Sequence, residues 1–410
     1  MQYASSAVLD SSRDDATRGQ RKGGPPRRGK GRKSGRKRKD PLWAKLLVIF
    51  GALMMLTSGT LIVGQKLIFD AATQSFNQTD LLDPAAPKQH VTINGAKNIL
   101  LVGIDNRPGQ NPSDLIRADS IMILHIAATH DRAYLVSIPR DSYVDIPPYD
   151  NGKVPWRGGH DKINSAFAFG GNGLTGIDAR KKGFVLLQQT IKHEFNIDFD
   201  AGAIVDFAGF QDVVSVLGGV DMYIDEKTVS IHIGTDNRTG KFKTPYWIDS
   251  NAKAHPVSGT TPKVYDVGQK HLAPWEALDY VRQRELIPDG DYGRTRHQQQ
   301  FIKALFKGIL SKNVLTDPGK LGRVLDVVGK AMTIDNGHIG LEDWIFAMRN
   351  IGAGDITTIK TNGGVFKTRQ VAGLGDVEEL DENSRQLMDA IRVDRVDGFV
   401  SNHTDWVSPS

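Results

Sequence analysis

Three short apolar runs follow one another ahead of the middle of the chain: KNILLVGID (97–105), DSIMILHIA (119–127) and AYLVSIPRD (133–141). Each is rich in aliphatic and β-branched residues and bounded by turn formers, so each predicts a buried β-strand. The period then changes. GFVLLQQTIKHEF (183–195) has the three-and-four spacing of an amphipathic helix. AGAIVDF (201–207) predicts a strand, AGFQDVVSVLGG (208–219) a helix closed by Gly218–Gly219, and VDMYID (220–225) a further strand. Strands alternating with helices predict an α/β domain with helices on both faces of a sheet.

Residues 226–270 break the alternation. They are polar and rich in Gly, Thr and Pro, and predict an insertion carrying a small β element or a flap. Helical patterns resume at APWEALDYVRQR (273–284), YGRTRHQQQFIKALFKGIL (292–310), GKLGRVLDVVGKAM (319–332) and GLEDWIFAMRNI (340–351). DITTIKTN (355–362) predicts a last strand and ENSRQLMDAIRV (382–393) a terminal helix. The globular part thus spans residues 93–400.

Upstream the pattern is of another kind. Leu46 to Gln65 run twenty residues without a charge, about the length of a helix that crosses a hydrocarbon core. Residues 41–66 therefore predict an uncleaved transmembrane anchor, followed by a polar linker over 67–92. Charge sharpens this. Residues 1–40 carry thirteen Lys/Arg against four Asp, a balance of +9, so the remaining 370 residues carry −4 of the chain's +5. The basic excess is a Gly/Pro/Ser-rich tail predicted to be disordered, and it orients the span with the N-terminus in the cytoplasm. No aromatic residue interleaves its charges, which argues for topology and anionic lipid rather than nucleic acid. The absence of cysteine excludes disulfides, thiolate metal sites and a cysteine nucleophile.

Charged residues cluster where a plain core has none. Asp105, Arg107, Arg117 and Asp119 lie between the first two strands, Arg140 and Asp141 directly after the third, and Lys162 and Asn164 at the entry to an apolar helix. Arg282, Arg284, Arg294 and Arg296 fall within fifteen residues. Charges at the ends of buried strands are costly unless paired. Converging guanidinium forks suit phosphate oxygens, and two aspartates at strand ends suit Mg²⁺ shared with phosphate. Asp291 is predicted to cap the helix whose first turn carries Arg294, with Gln298 on the same face. Against this, Asp105 serves equally as a turn former and the arginines as a solvated helix face. His125, inside SIMILHI, is expected in the core.

In order and spacing, LLVGIDNR…RADSIMI, VSIPRDSYVDIP, DKINSAFAFGG and YVRQRE…GDYGRTRHQQQFIKAL resemble the motifs of the LytR–CpsA–Psr family of bacterial cell-envelope proteins. The resemblance covers residues 95–315 and extends to the single N-terminal span. It implies a three-layer α-β-α domain with a central mixed sheet, outside the cytoplasmic membrane. The implied activity moves a phospho-glycan from a polyprenyl-pyrophosphate carrier onto peptidoglycan. By motif, Asp105 and Asp119 correspond to a Mg²⁺-binding pair. Arg117, Arg140, Arg282, Arg284 and Arg294 correspond to a pyrophosphate clamp, supported by Lys162 and Gln298. Asp291 corresponds to a residue that orients the arginines near the acceptor hydroxyl. Asp105, Arg117, Arg140 and Asp291 are the expected catalytic set. Alternatives are a polyprenyl-pyrophosphate pyrophosphatase, a membrane-bound transcriptional regulator and a lipid-carrier binding protein without turnover.

Overall fold

The computed structural model describes residues 77–78, 93–104, 115–251, 253–288, 290–309, 317–335 and 350–408, with Trp344 and Met348 in addition. The expected membrane span and basic tail lie outside these residues. Among the described residues no helix is long and apolar enough to cross a membrane.

A short β1 (Asn77–Gln78) is followed by the three predicted strands, β2 (Lys97–Ile104), β3 (Ala118–Ile126) and β4 (Ala133–Ile138), each antiparallel to the next. A hairpin of β5 (Tyr143–Ile146) and β6 (Gly159–Lys162) comes next, unannounced by the apolar pattern because GHDK has no apolar residue. It feeds α1 (Ile163–Gly171) and α2 (Gly176–Phe195), the latter beginning seven residues ahead of its apolar stripe. β7 (Ala201–Asp206) returns parallel to β2, and α3 (Phe207–Leu217) follows. β8 (Val220–Ile224) leaves the sheet.

The insertion is a small β element, as expected. β9 (Thr228–Asp236) carries a hairpin of β10 (Tyr246–Ile248) and β11 (Ala254–Pro256), then pairs with β12 (Thr260–Tyr265). β13 (Gly268–Leu272) runs back antiparallel to β8. There follow α4 (Pro274–Tyr280), α5 (Gly290–Ile309), α6 (Pro318–Ala331), β14 (Met332–Asp335) and β15 (Ile356–Lys360). A closing hairpin of β16 (Thr368–Val371) and β17 (Gly375–Glu378) leads to α7 (Glu382–Arg392) and α8 (Val396–Asn402).

The central mixed sheet has the order β1-β14-β7-β2-β3-β4-β15. Alternate residues of β2, β3 and β4 point to opposite faces, and both faces are covered. Leu100, Val102, Ile121, Ile123 and Val136 pack with Phe167 of α1, Leu187 of α2 and Met388 of α7. Met122, Leu124 and Leu135 pack with Trp344 and, from α5, Ile302 and Phe306. Burial on both sides explains why these strands read as continuous apolar runs.

Two details bear on the site. His125 is a core residue, its ring nitrogens 2.8 Å from Asn98 Oδ1 and 2.9 Å from Asp394 Oδ1, and burial lowers its pKa. The α1–α2 crossing is a backbone-to-backbone contact. A Cβ at Gly170 would sit 2.3 Å from the Lys182 carbonyl oxygen, and one at Gly183 2.5 Å from that of Phe167. Only glycine fits such an approach.

Candidate active site

The site is assembled where β3 begins and β4 ends. These strands are neighbours and antiparallel, so the start of one lies beside the end of the other. Asp119, second residue of β3, accepts a 2.6 Å hydrogen bond from Arg140 Nη1, just past β4. Arg140 Nε lies 3.6 Å from Asp141, and Lys162 Nζ lies 3.1 Å from the other oxygen of that carboxylate. Asp119, Arg140, Asp141 and Lys162 form one continuous chain of charge. All four are partly exposed, so none needs complete internal neutralisation.

The backbone explains this convergence. Lys162 is the N-cap of α1 and makes no side-chain cap. The first-turn N–H groups instead reach back, Ile163 N to the Ser142 carbonyl at 2.8 Å and Asn164 N to the Arg140 carbonyl at 3.1 Å. These bonds dock the helix start on the Arg140–Ser142 turn and leave the Lys162 ammonium for Asp141. The same turn of α1 receives Arg117, whose Nη1 is 3.0 Å from Ser165 Oγ and 3.5 Å from Asn164 Oδ1. Arg117 is exposed beside a largely apolar cavity of about 220 Å³ lined by Leu115, Ile116, Phe167, Leu174 and Ala179.

Asp119 also bears on metal binding. Its Oδ2 has no hydrogen-bond partner among the described residues. Ile104, the last residue of β2, pairs with Ala118, so the described part of β2 ends beside Asp119. Asp105 follows Ile104 in sequence but lies outside the described residues. Among the described residues no three His, Asp or Glu gather as a metal cage. One open carboxylate oxygen beside a strand end suits a Mg²⁺ that takes most of its ligands from phosphate and water.

The other arginines belong to the α4–α5 connection. α4 stops at Tyr280, short of the 284 predicted, and Arg282 N bonds to the Asp279 carbonyl at 3.1 Å, placing Arg282 in a turn. Arg284 pairs with Glu285 at 3.3 Å. Gln283 is fixed between them. Its Oε1 accepts from Ile231 N at 3.0 Å, and its Nε2 donates to the Asp279 carboxylate at 2.8 Å, which ties the turn to β9.

α5 corrects two expectations. It starts at Gly290, just after Pro288, so Asp291 lies inside the first turn instead of capping it, and Arg294 falls in the second turn. The side chain of Asp291 is outside the described residues. Gln298 shares a face with Arg294 and is buried, with Oε1 unbonded among the described residues. Arg296 faces away from this role, bound to Asp225 at 2.7 Å and to Glu226.

A second cavity, about 210 Å³, joins the two groups. It is lined by Pro139 and Asp141 from the β4 end, Tyr292 and Thr295 from α5, and Phe366 and Glu378 from the closing hairpin. The sequence gives no sign of Glu378, because DVEEL looks like a solvated turn. Burial, then the charge and hydrogen bond of Glu378, hold the Tyr292 phenol well above its usual pKa, so it remains a hydrogen-bond donor.

Residues 66–387 match the model of the LytR_cpsA_psr family. The polyisoprenyl-teichoic acid–peptidoglycan teichoic acid transferase TagU of Oceanobacillus iheyensis is 30% identical over 309 residues, covering 73% of this chain and 78% of the relative. The cell wall biosynthesis protein LcpA of Corynebacterium glutamicum is 30% identical over 285 residues, covering 64% of this chain and 49% of LcpA. The crystal structure of B. subtilis TagV superposes with a TM-score of 0.51 at 19% identity, covering 74% of this chain and 98% of that one, a likeness of fold.

Proposed function

This chain belongs to the LytR–CpsA–Psr family, and from that premise we propose that it is a membrane-anchored phosphotransferase moving a phospho-glycan from a polyprenyl-pyrophosphate carrier onto peptidoglycan. The observation that carries the proposal is the linked set Asp119, Arg140, Asp141 and Lys162, with Arg117 next in sequence to Ile116, which lines an apolar cavity. Among the described residues three cations face two carboxylates there, a surplus that suits an anion. The pyrophosphate binds this surplus, with Arg282, Arg284 and Arg294 on its other side and Gln298 supporting Arg294. The first isoprene units occupy the cavity beside Arg117.

In the transfer, an acceptor hydroxyl oxygen bonds to the phosphorus that carries the glycan. The bond from that phosphorus to the bridging oxygen breaks, polyprenyl phosphate leaves, and the hydroxyl proton passes to solvent or to the departing phosphate. The guanidinium forks of Arg117 and Arg140 hold the charge that builds on the phosphoryl oxygens. Asp141 orients Arg140 and Lys162. Asp119, with Asp105, would hold a Mg²⁺ that neutralises part of the pyrophosphate charge. Asp291 is assigned to orient the arginines. Asp105 and Asp291 enter on their motif positions. The uncharged run of residues 46–65 and the basic tail before it support an extracytoplasmic catalytic domain behind a single span.

The test uses the full chain in lipid nanodiscs, a short-chain polyprenyl-pyrophosphate glycan and peptidoglycan fragments, with and without Mg²⁺, beside Asp119→Asn. The expected result is metal-dependent glycan linkage that the variant loses. Phosphate release without linkage would replace transfer by hydrolysis.

A further inference from the structure

The cavity between the closing hairpin and the start of α5 has a use of its own. Glu378 is 4% exposed, yet no cation pairs with it among the described residues. Three neutral donors converge on its Oε1: Tyr292 O–H at 2.9 Å, Asn362 Nδ2 at 2.9 Å and Lys367 N at 2.7 Å. Oε2 receives none among the described residues, and the side chain lines the cavity. A buried carboxylate held by one oxygen and open at the other awaits a donor, since leaving it unpaired is costly. The opposite feature is apolar. Phe366 is 47% exposed at the same cavity and is braced edge-on against Tyr292, with ring centroids 4.7 Å apart.

The cavity is continuous with the catalytic groups. Glu378 N donates to the Asp141 carbonyl at 2.8 Å, and Asp141 is the residue that holds Lys162 and Arg140. Thr295, on the facing wall, is next in sequence to Arg294. We infer that this cavity is the acceptor subsite, taking one sugar ring of a peptidoglycan glycan strand, stacked on Phe366 and donating a hydroxyl to Glu378 Oε2. The inference rests on the transfer activity proposed above and adds where the acceptor sits. A sugar fits better than the alternatives. Asp141, Asp376 and Glu378 line the cavity and repel an anion, and the C–H groups of a sugar favour the face of an aromatic ring. The volume suits one ring rather than an extended ligand.

The experiment measures the affinity of the full chain, in nanodiscs, for a tetrasaccharide of alternating N-acetylglucosamine and N-acetylmuramic acid, once peptide-free and once bearing its peptides. Affinity for a short-chain polyprenyl-pyrophosphate glycan is measured in parallel. Glu378→Gln keeps a carbonyl oxygen for the three donors and turns the open position into an amide N–H₂. Phe366→Ala removes an exposed ring. Each is expected to weaken tetrasaccharide binding about tenfold or more, while donor affinity stays within about twofold of wild type, which also reports that the fold is intact. Unchanged tetrasaccharide affinity in Phe366→Ala, or no binding by wild type, overturns the subsite and leaves the transfer reaction standing. Weakening confined to peptide-bearing strands overturns the sugar assignment. Normal subsite behaviour in a chain that links no glycan overturns the transferase instead.

Discussion

Arg140 and Arg296 occupy two regions that look alike in sequence and are opposites in structure. Arg296 is 7% exposed and lies between Asp225 and Glu226, so the junction of α5 with the end of β8 carries more negative than positive charge and its guanidinium is shielded from solvent. Arg140 is partly exposed, binds Asp119 and shares Asp141 with Lys162, while Arg117 reaches Ser165 of α1 nearby. The first arrangement has nothing left to offer a ligand. The second keeps a positive surplus and an open carboxylate oxygen. The difference between a structural arginine and a ligand-binding one lies in how many carboxylates the fold brings to it, a property of tertiary neighbours.

That contrast breaks most visibly at Arg296. Arg296→Ala leaves two half-buried carboxylates facing each other and should lower the unfolding free energy by about 2–3 kcal/mol, measured by chemical denaturation. A loss below about 1 kcal/mol would mean that the guanidinium is not shielded. At Arg140 the signature reverses. Arg140→Ala should reduce glycan transfer by about 10²–10³-fold, with the melting temperature little changed. If the variant melts early and turns over normally, the two arginines have been assigned the wrong way round. Gln283 sharpens the comparison, because it lies between the site's Arg282 and Arg284 but is itself 2% exposed. Gln283→Leu strands Ile231 N and takes one donor from Asp279, which keeps Tyr265 and His232, and should remove about 1–3 kcal/mol of stability. It should also raise the KM for the lipid-linked donor more than it lowers kcat, as the arginine turn loosens. Equal effects on both would show that the latch serves stability alone.

The inner strands β2, β3, β4 and β7 were legible because they are buried on both faces and announce themselves as apolar runs, whereas β1 falls in the stretch read as a polar linker and β14 begins at Met332, read as the end of a helix. β6 was not, since its role is to deliver Lys162 to α1, and GHDK is chosen for that end rather than for burial. The β3–β4 half of the site was legible for the same reason as the strands: charges at the inner ends of apolar runs are conspicuous. Asp119, Arg140 and Lys162 stand together as that logic requires. The α4–α5 half was harder, because helix boundaries set which arginine faces what. A start at Gly290 moved Asp291 off the cap position and Arg294 into the second turn. Glu378 gave no local signal at all. Its importance comes from Tyr292 and Asn362, far away along the chain, which a single sequence does not place beside it.

The glycine contact between α1 and α2 has a consequence at a distance. Gly170, near the C-terminal end of α1, meets the Lys182 backbone, and Gly183 of α2 meets that of Phe167 at the middle of α1, the opposite side from the helix start that carries Lys162, Asn164 and Ser165. The helix is a rigid rod about 12 Å long, so the crossing acts as the pivot of a lever whose tip carries the groups that grip Asp141 and Arg117. Replacing either hydrogen by a methyl group, the mildest exchange available to a drifting sequence, would tilt the rod and spread that grip. The spacing of the charged groups therefore depends on two residues that carry no charge and line neither cavity.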